Sequence, residues 1–278
     1  MFFKFNDYKM KVLITGGARG IGKASISLML ESKLISEIYF TCRCPEKGRE
    51  ALNEFSSKNS EKKLEFFLLD VLEENSMKKF SEEILKRKLV FDVVVQNAGV
   101  DFHDKSAENW RKIIQTNFVF PYELSKIMID QNLVREGGRI VFISSRLGVL
   151  SSIQDNKQAK LALSCYKSRE FTEEDFLKIF GDYQKDALDL SKLWGDDYYG
   201  QSKMFLTIGA NVLAKKYQNF EFLAIHPGFV LTDMTKDLGA ELPPSEAASN
   251  VLFSIFEKID PETNGEFFRD RKITSILN

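Results

Sequence analysis

The feature that most constrains the fold is a glycine-rich segment between an apolar run and a helix-compatible stretch. Residues 12–14 are Val-Leu-Ile, residues 15–22 are Thr-Gly-Gly-Ala-Arg-Gly-Ile-Gly, and residues 23–30 suit a helix. A buried strand, a glycine turn and a helix N-terminus in this order form an anion cradle, because glycine lets a ligand approach the backbone and the first helical turn presents unpaired N–H groups. The segment alone is equally compatible with a nucleotide-binding loop and with a tight turn that binds no ligand.

The glycine spacing departs from two common phosphate-binding motifs. The dinucleotide pattern G-x-G-x-x-G is absent from this segment. A P-loop would match Gly17-x-x-x-x-Gly22-Lys23, except that Ala24 stands where a Ser or Thr should hold Mg²⁺ and Ser25 comes one residue late. A P-loop nucleotidase or kinase is therefore an alternative that the missing hydroxyl disfavours.

Apolar runs alternate with helical stretches along most of the chain. After the first strand, the patterns predict strands at residues 38–41, 64–71, 91–95, 139–145, 221–225 and 265–268, with helices between them. This alternation predicts an α/β fold, a Rossmann-type doubly wound parallel sheet with helices on both faces, in a single domain spanning residues 1–278. Ligands of such sheets bind outside the carboxyl ends of the strands.

The alternation stops between residues 147 and 195, where no convincing strand occurs and charged residues are frequent. Within this stretch, residues 172–175 have the composition of a helix start, and four apolar residues follow at Phe176, Leu177, Ile179 and Phe180. The pattern predicts a helical insertion rather than a linker.

Composition narrows the class of partner. The chain has 39 Lys and Arg and 40 Asp and Glu, a formal net charge of −1, so no excess of positive charge indicates nucleic acid or an anionic membrane. The first residues lack the apolar stretch of a signal peptide, and no run approaches the ~18 apolar residues of a membrane span. We therefore expect a cytoplasmic protein that acts on a small molecule and has no membrane partner.

The cysteines and histidines form no metal-binding pattern. Cys42, Cys44 and Cys165 contain no C-x-x-C pair and are expected to be reduced, packed thiols. His103 and His226 stand singly, so the expectation is a structural or solvated histidine in both cases.

Arg43 follows the second predicted strand, about 20 residues past the glycines. In a dinucleotide fold an acid at this place binds the ribose 2′-hydroxyl of NAD, whereas a basic residue accepts the 2′-phosphate of NADP. No acid is present, and Arg19 could approach the same phosphate from the glycine segment. The two arginines favour NADP(H), although either one alone is compatible with a solvated surface residue.

Tyr199 and Lys203 lie four residues apart on a predicted helix and so share one face. A phenol has an ordinary pKa of about 10, and an ammonium at ~5 Å in an effective dielectric near 20 would lower it by roughly 2 units, about 3 kcal/mol. Tyr199 would then be a workable acid–base group. Tyr122 and Lys126 have the same spacing, so the pair alone is a weak signal.

A long helix is predicted from Ser106 to about Val134, and Pro121 interrupts it. Proline removes the hydrogen bond to the carbonyl four residues earlier, which belongs to Asn117. That carbonyl is predicted to be free to hold a water, and an ordinary kink with a solvated asparagine explains the pattern equally well.

In combination and order, these motifs resemble the short-chain dehydrogenase/reductase family from about Val12 to Thr232. They are T-G-x-x-x-G-x-G at residues 15–22, Asn97-Ala98-Gly99, Asn117, Ser145, Tyr199-x-x-x-Lys203 and Pro227-Gly228. Within the family, residues 143–146, the long segment before Tyr199 and residues 199–203 look most like the monomeric NADPH-dependent carbonyl reductases. Gln96 departs from the family, which more often has asparagine there, and we expect it to alter hydrogen bonds at the strand end.

The resemblance implies NADPH-dependent reduction of an aldehyde, ketone or quinone. Tyr199 would donate a proton to the carbonyl oxygen, and Ser145 would hydrogen-bond that oxygen. Lys203 would lower the pKa of Tyr199 and bind the nicotinamide ribose, and Asn117 would join a water to Lys203. The other residues that the resemblance or the two-arginine argument assigns to NADP(H) are Gly16, Arg19, Gly20, Ile21, Gly22, Arg43, Asp70, Val71, Asn97, Ala98, Gly99, Pro227, Gly228, Val230 and Thr232.

The resemblance also implies how the rest of the chain is arranged. The insertion would cover the helical face that other members use to form tetramers, which predicts a monomer. Tyr122 would be a helix-surface residue. Phe142, Phe229 and apolar residues of the insertion are candidates for shaping a substrate pocket, although most of the 24 phenylalanines are expected to lie in the core. The alternative is a non-catalytic protein that senses NADP(H) or holds a partner, against which the intact Ser145, Tyr199 and Lys203 argue.

Overall fold

The computed structural model describes residues 9–58, 61–73, 75–102, 104, 106–188 and 194–277, which contain eight strands and nine α-helices besides short π and 3₁₀ turns. The strands are β1 (Met10–Ile14), β2 (Ile35–Cys42), β3 (Lys63–Leu68), β4 (Phe91–Gln96), β5 (Val134–Ile143), β6 (Glu221–Ile225), β7 (Phe267–Arg269) and β8 (Lys272–Ile273). The helices are α1 (Gly20–Glu31), α2 (Pro45–Lys58), α3 (Ser76–Lys86), α4 (Ala107–Ile114), α5 (Phe120–Asp130), α6 (Lys157–Ser164), α7 (Glu173–Leu188), α8 (Tyr198–Lys216) and α9 (Pro244–Phe256).

The strands form one sheet in the order β3-β2-β1-β4-β5-β6-β7-β8. All neighbouring pairs are parallel except β7 and β8, a final antiparallel pair that the sequence did not predict. The chain progresses outward from β1 to β3 and then crosses to β4 on the other side of β1. This reversal creates a crevice at the carboxyl ends of β1 and β4, as expected for the doubly wound fold, which is confirmed.

Each central strand is buried on both faces. Because successive side chains of a strand point to opposite faces, Val12 and Ile14 pack in one core with α1, α2 and α9, whereas Leu13 packs in the other with α3, α4, α5 and α8. Such strands are continuously apolar, which is why they stand out in the sequence.

The predicted helix from Ser106 to about Val134 is confirmed as far as Asp130 and is wrong only in its last residues. Ser106 does cap α4, where its Oγ accepts a hydrogen bond from the Asn109 N–H at 3.3 Å. A π-helical turn at Gln115–Val119 then joins α4 to α5. The helical path ends at Asn132, whose φ is 56°, and Val134 begins β5 by pairing with Phe91 of β4. This pairing joins residues far apart in sequence, so helical periodicity could not reveal it.

The insertion contains α6 and α7, and the predicted start of α7 is confirmed. Thr172 Oγ1 accepts a hydrogen bond from the Asp175 N–H at 3.2 Å, and Asp175 Oδ2 accepts one from the Thr172 N–H at 2.9 Å. This reciprocal arrangement satisfies two N–H groups at the helix start. No strand occurs in the described residues of the 147–195 stretch.

Helix α7 covers the face formed by α8 and the π-helical turn. Phe176 and Phe180 of α7 have ring centroids 5.6 and 4.7 Å from that of Phe118, and Phe180 also lies 5.2 Å from Phe205 of α8. These contacts form an aromatic cluster under the insertion.

Three expectations about exposure are wrong. Tyr122 is only 2% exposed because α7 covers it, and Phe142 is fully buried in the core rather than lining a pocket. Cys165 is exposed, whereas Cys42 is buried and Cys44 half-buried, and all three are free thiols. Burial of this kind depends on which elements pack together, so local pattern could not decide it. None of the described helices combines the length and apolar character needed to cross a membrane.

Candidate active site

The glycine loop is held to the end of β4 by Thr15. Its Oγ1 accepts hydrogen bonds from the N–H groups of Asn97 at 2.9 Å and Ala98 at 3.0 Å. In return, Asn97 Nδ2 donates to the carbonyl oxygens of Thr15 at 2.8 Å and Gly16 at 3.2 Å. Thr15 and the Asn97 side chain therefore build the crevice at the switch point, a structural role that the sequence motifs did not reveal.

The glycines of the loop are required by its geometry. Gly16 and Gly20 have φ of +68° and +54°, which other residues rarely adopt. A β-carbon at Gly22 would lie 2.4 Å from the Gly16 carbonyl oxygen, so no side chain fits there. Helix α1 begins at Gly20, and its N-terminus is directed at the crevice end of the sheet. This cradle fits the pyrophosphate of a dinucleotide cofactor.

The P-loop alternative does not agree with this geometry. Lys23 Nζ lies 2.6 Å from Glu54 Oε2 on α2, so its ammonium is directed away from the loop. Ser25 Oγ donates within α1 to the Ile21 carbonyl at 2.8 Å. Neither side chain is placed to contact a phosphate or Mg²⁺ at the loop.

Tyr199 and Lys203 lie on the first turns of α8. Asp197 caps this helix, since its Oδ1 accepts a hydrogen bond from the Gly200 N–H at 2.9 Å. Lys203 Nζ donates to the Ile143 carbonyl at the end of β5 at 2.7 Å and lies 5.6 Å from the centroid of the Tyr199 ring. The helix thus places the phenol and the ammonium together at the carboxyl edge of the sheet.

The two serines after β5 have different surroundings. Ser144 Oγ donates to the Lys203 carbonyl at 3.0 Å and lies 2.6 Å from Thr207 Oγ1, so it fastens the strand end to α8. Ser145 Oγ accepts from the Leu147 N–H at 3.2 Å, and Ser145 lowers the pKa of the Tyr199 phenol. Ser145 is therefore the serine that meets Tyr199, as the motif predicts.

Asn117 lies in the π-helical turn and is fully buried. Its Oδ1 accepts from the Val100 N–H at 2.8 Å, and its Nδ2 donates to the Val100 carbonyl at 2.9 Å and to Ser202 Oγ at 3.0 Å. A β-carbon at Gly99 would lie 3.5 Å from Lys203 Nζ. Asn117 thus holds the chain after β4 against α8, and the predicted water at its main-chain carbonyl stays a prediction.

Burial dominates the proton affinities of the pair. Burial first, and then the nearby Asp101 carboxylate, raise the pKa of Tyr199 to about 12, although the Ser145 hydrogen bond lowers it. Burial lowers the pKa of Lys203 to about 8, against the opposing effect of Asp101. The expected lowering of the Tyr199 pKa by Lys203 is not seen, because the phenol is desolvated and faces a carboxylate.

A cavity of about 210 Å³ opens beside Tyr199. Its walls combine apolar side chains with three carboxylates and are formed by Asp101, Phe102, Ile113, Leu147, Asp196, Asp197, Tyr198 and Tyr199. Sequence reasoning missed the three aspartates. The only signal available was their position, directly after the Asn97-Ala98-Gly99 motif and directly before the tyrosine pair.

The remaining predicted cofactor residues lie at neighbouring strand ends. Arg43 is exposed after β2, and Asp70 Oδ1 accepts from the Leu72 N–H at 3.0 Å after β3. Val71 lines a second cavity, of about 630 Å³, between this turn, α4 and α7. Gln96 is buried at the end of β4 and donates to Ser125 Oγ at 3.2 Å.

The segment after β6 lies opposite the glycine loop. Pro227 accepts a hydrogen bond from Asn250 Nδ2 at 2.9 Å, Gly228 has φ of +118°, and Val230 is buried. A β-carbon at Gly20 would lie 3.6 Å from Thr232 Cγ2, so the two segments are in contact. The structure therefore brings this predicted group to the same crevice.

His226 is the histidine that the described residues include. Burial, with the nearby Arg146 and Arg269, lowers the pKa of His226 to about 4, so it is uncharged at neutral pH and fits the expected structural role. His103 lies outside the described residues. Within the described ranges, no group of three or more His, Cys, Asp or Glu side chains could hold a metal ion.

Comparison with known proteins agrees with this fold. A family model described as short chain dehydrogenase matches residues 10–157. Carbonyl reductase (NADPH) 3 of Mus musculus is 26% identical over 276 residues, which cover 94% of this chain and 96% of the mouse protein. Carbonyl reductase (NADPH) 1 of Homo sapiens is 24% identical over 279 residues, with the same 94% and 96% coverage.

Solved structures agree at the level of the fold. Salutaridine reductase from Papaver somniferum matches with a TM-score of 0.78 and 23% identity over 94% of this chain and 100% of its own. An NADPH-bound carbonyl reductase from chicken fatty liver matches with a TM-score of 0.69 and 18% identity over 98% and 96%. Since the family model alone matches more than half of the 278 residues, the chain belongs to the short chain dehydrogenase family.

Proposed function

We propose that the protein reduces a carbonyl group of a small molecule to an alcohol with NADPH. The observation that carries this proposal is the convergence of Ser145, Tyr199 and Lys203 beside a cavity, at the same strand ends as the glycine cradle. The curated relatives named carbonyl reductase (NADPH), which match the chain over 94% of its length, support the same reaction.

The cofactor supplies the hydride that reduces the carbonyl carbon. Tyr199, with its pKa at about 12, stays protonated at neutral pH and donates its proton to the carbonyl oxygen. Ser145 orients that oxygen by a hydrogen bond. Lys203, with its pKa at about 8, is mostly charged at pH 7 and stabilises the phenolate that the proton transfer leaves. Lys203 would also hold the nicotinamide ribose, and a water on the Asn117 carbonyl would return a proton through Lys203.

The residues of the crevice would hold the cofactor in this proposal. Gly16, Gly20, Ile21 and Gly22 would bind its pyrophosphate, and Arg19 and Arg43 would bind its 2′-phosphate. The adenine end would be held by Asp70 and Val71, the middle by Asn97, Ala98 and Gly99, and the nicotinamide end by Pro227, Gly228, Val230 and Thr232. Arg43→Ala should therefore weaken NADPH binding much more than NADH binding, and equal losses would remove Arg43 from the phosphate site.

The decisive test measures NADPH oxidation with a panel of aldehydes, ketones and quinones. Ser145→Ala should lower kcat/KM by about 10²-fold while NADPH binding is retained, because the substrate oxygen loses a hydrogen-bond donor. Ser144→Ala is the matched control, since Ser144 fastens β5 to α8, and it should mainly lower stability. Tight NADPH binding without reduction of any carbonyl would favour the non-catalytic sensor instead.

We also propose that the protein is a cytoplasmic monomer. Helix α7 covers the face of α8 and the π-helical turn with Phe176 and Phe180, which removes an apolar surface that a second copy would need. Light scattering after size-exclusion chromatography should give a mass near 31.9 kDa, and a tetramer would contradict the proposal.

A further inference from the structure

The segment after β6 folds back over the glycine loop in a defined conformation. Val230 pairs with Leu242 as an isolated bridge, and Thr235 Oγ1 donates to the Val230 carbonyl at 2.6 Å. The Thr232 N–H donates to Thr235 Oγ1 at 2.9 Å, which closes a tight turn. Asp233 lies inside this turn, so its backbone is held beside the glycine loop.

Asp233 forms an ion pair with Arg19 across the crevice. Arg19 Nη1 lies 3.1 Å from Asp233 Oδ2, and their side chains are 63% and 74% exposed. Arg19 is the residue directly before α1, and its extended backbone, with φ −153° and ψ 171°, directs the side chain off the helix start. The pair therefore joins the two sides of the cradle above the N-terminus of α1.

We infer that Asp233 sets how strongly the protein prefers NADPH over NADH, by competing with the 2′-phosphate for Arg19. The inference rests on the proposed function, because it takes Arg19 as a phosphate ligand. A guanidinium binds phosphate best through two parallel N–H bonds, and a carboxylate on Nη1 occupies one of them. The Asp233 charge also repels a phosphate that approaches Arg19.

The two cofactors differ only in the group that meets Arg19. NADH lacks the 2′-phosphate and leaves the ion pair intact, so the charge of Asp233 acts on it only through the pyrophosphate that both cofactors share. NADPH has to displace the carboxylate or share the guanidinium with it. Exposed ion pairs are weak and are screened by salt, so the expected effect on NADPH affinity is about two- to five-fold at low ionic strength.

Asp233→Asn tests the inference by direct binding. Dissociation constants for NADPH and NADH are measured by calorimetry at low and high salt. We expect the NADPH constant to fall about two- to five-fold more than the NADH constant at low salt, with a smaller difference at high salt. In an Arg19→Ala background, which should weaken NADPH binding, Asp233→Asn should have no further effect.

Asp237→Asn is the matched control, because Asp237 is exposed in the same segment and loses the same charge. If this variant tightens NADPH binding as much as Asp233→Asn does, the effect is general charge repulsion and the inference fails. It also fails if Asp233→Asn weakens both cofactors, which would make the ion pair a clamp over the bound dinucleotide, or if its gain persists without Arg19.

The same data separate this inference from the proposed function. Wild-type protein that binds neither cofactor contradicts the proposed function. Wild-type protein that binds NADPH, with the same NADPH to NADH ratio in Asp233→Asn, contradicts only the role of Asp233.

Discussion

Two tyrosine–lysine pairs with identical spacing have different surroundings in this molecule. Lys126 Nζ lies 5.4 Å from the centroid of the Tyr122 ring, and Lys203 Nζ lies 5.6 Å from that of Tyr199. The helix alone therefore places the cation and the ring alike in both pairs. What differs is the group that each pair meets in the rest of the fold.

The Tyr122 pair meets a carboxylate. Tyr122 Oη donates to Glu173 Oε1 of α7 at 2.9 Å, and Lys126 Nζ lies 3.2 Å from the same oxygen. Burial, and then Glu173, raise the pKa of Tyr122 well above its ordinary value. Burial lowers the pKa of Lys126, but Glu173 and Glu123 outweigh this and raise it overall. Glu173 thus occupies the polar groups of both Tyr122 and Lys126, and the pair has a structural role.

The Tyr199 pair opens onto a cavity, with the Asp101 carboxylate nearby. The Lys203 ammonium donates to a main-chain carbonyl, so burial is not offset by a bonded carboxylate and the pKa falls to about 8. Tyr199 lines the cavity, where a substrate can reach its hydroxyl. The comparison shows that the four-residue spacing only brings a tyrosine and a lysine together. The elements packed around the pair decide whether the tyrosine can react with a substrate or is closed into a structural contact.

The same phenol-to-phenyl change at the two tyrosines should separate them most strongly. Tyr199→Phe removes the proton donor, so we expect kcat/KM to fall by about 10²- to 10⁴-fold with NADPH binding retained. Tyr122→Phe should keep activity within about two-fold and lower the free energy of unfolding by about 1 kcal/mol. Steady-state kinetics measures the activity of the two variants, and urea denaturation measures their stability. Equal losses of activity in the two variants would contradict the different roles assigned to Tyr199 and Tyr122.

The two lysines provide the next comparison. Lys203→Met removes a charge that stabilises the Tyr199 phenolate by about 3 kcal/mol at ~5.5 Å in a dielectric near 20, so kcat/KM should fall about 10²-fold. Lys126→Met should leave activity unchanged and cost less than about 1 kcal/mol of stability, since Lys216 still pairs with Glu173 at 2.5 Å. A Lys126 variant as inactive as the Lys203 variant would contradict the assignment.

Glu173→Gln should affect the stability that the Tyr122 and Lys126 pair provides and leave the Tyr199 and Lys203 pair unchanged. Burial raises the pKa of Glu173, but the bonds from Lys216, Tyr122 and Lys126 outweigh this, so the pKa lies below its ordinary value of 4.5. Its stabilising effect is therefore complete above that value and is lost as pH falls through the lowered one. We expect a loss of about 1–2 kcal/mol at pH 7 that disappears in acid, measured by denaturation.

Activity per folded molecule should not change in Glu173→Gln, because Glu173 does not touch the site. Glu174→Gln is the matched control, since Glu174 is exposed on the first turn of α7 and should leave stability almost unaltered. A loss in Glu173→Gln that is independent of pH would show that its charge is not what stabilises the pair.

Asp101→Asn should give the smallest effect, a shift of the pH profile. The Asp101 charge raises the pKa of both Tyr199 and Lys203, so its removal lowers both. Lys203 then loses its proton at lower pH, and the alkaline decline of kcat/KM for reduction should begin at lower pH than in the wild type. Asp104→Asn, an exposed acid on the same loop, is the control, and a shift toward higher pH would contradict the role given to Asp101.

Local pattern predicted much of the scaffold. Strand β6 was predicted with its observed bounds, and the start of α7 was recognised from its capping residues, because burial on both sides of a strand and helix capping act on neighbours in sequence. The site motifs were recognised for a related reason. Gly16, Gly20 and Gly22 are needed by the loop itself, and the Tyr199 and Lys203 pair is set by one helical turn.

Long-range contacts account for what was missed. Val134 begins a strand because β4 lies beside it, and Tyr122 is buried because a helix 51 residues later supplies Glu173. Burial and then Asp101 raise the pKa of Tyr199, and the partner of Arg19 is 214 residues away at Asp233. No periodicity or spacing connects such residues.

The sequence by itself determined the order of the elements, the glycine cradle and the residues that can donate a proton. Each of these depends on residues that are adjacent in a strand or one helical turn apart. Only the tertiary structure decided which of two equivalent tyrosine–lysine pairs lines a cavity and which is closed by a carboxylate. Proton affinity depends on burial and on charges within a few ångströms, and these are set by how distant segments pack together.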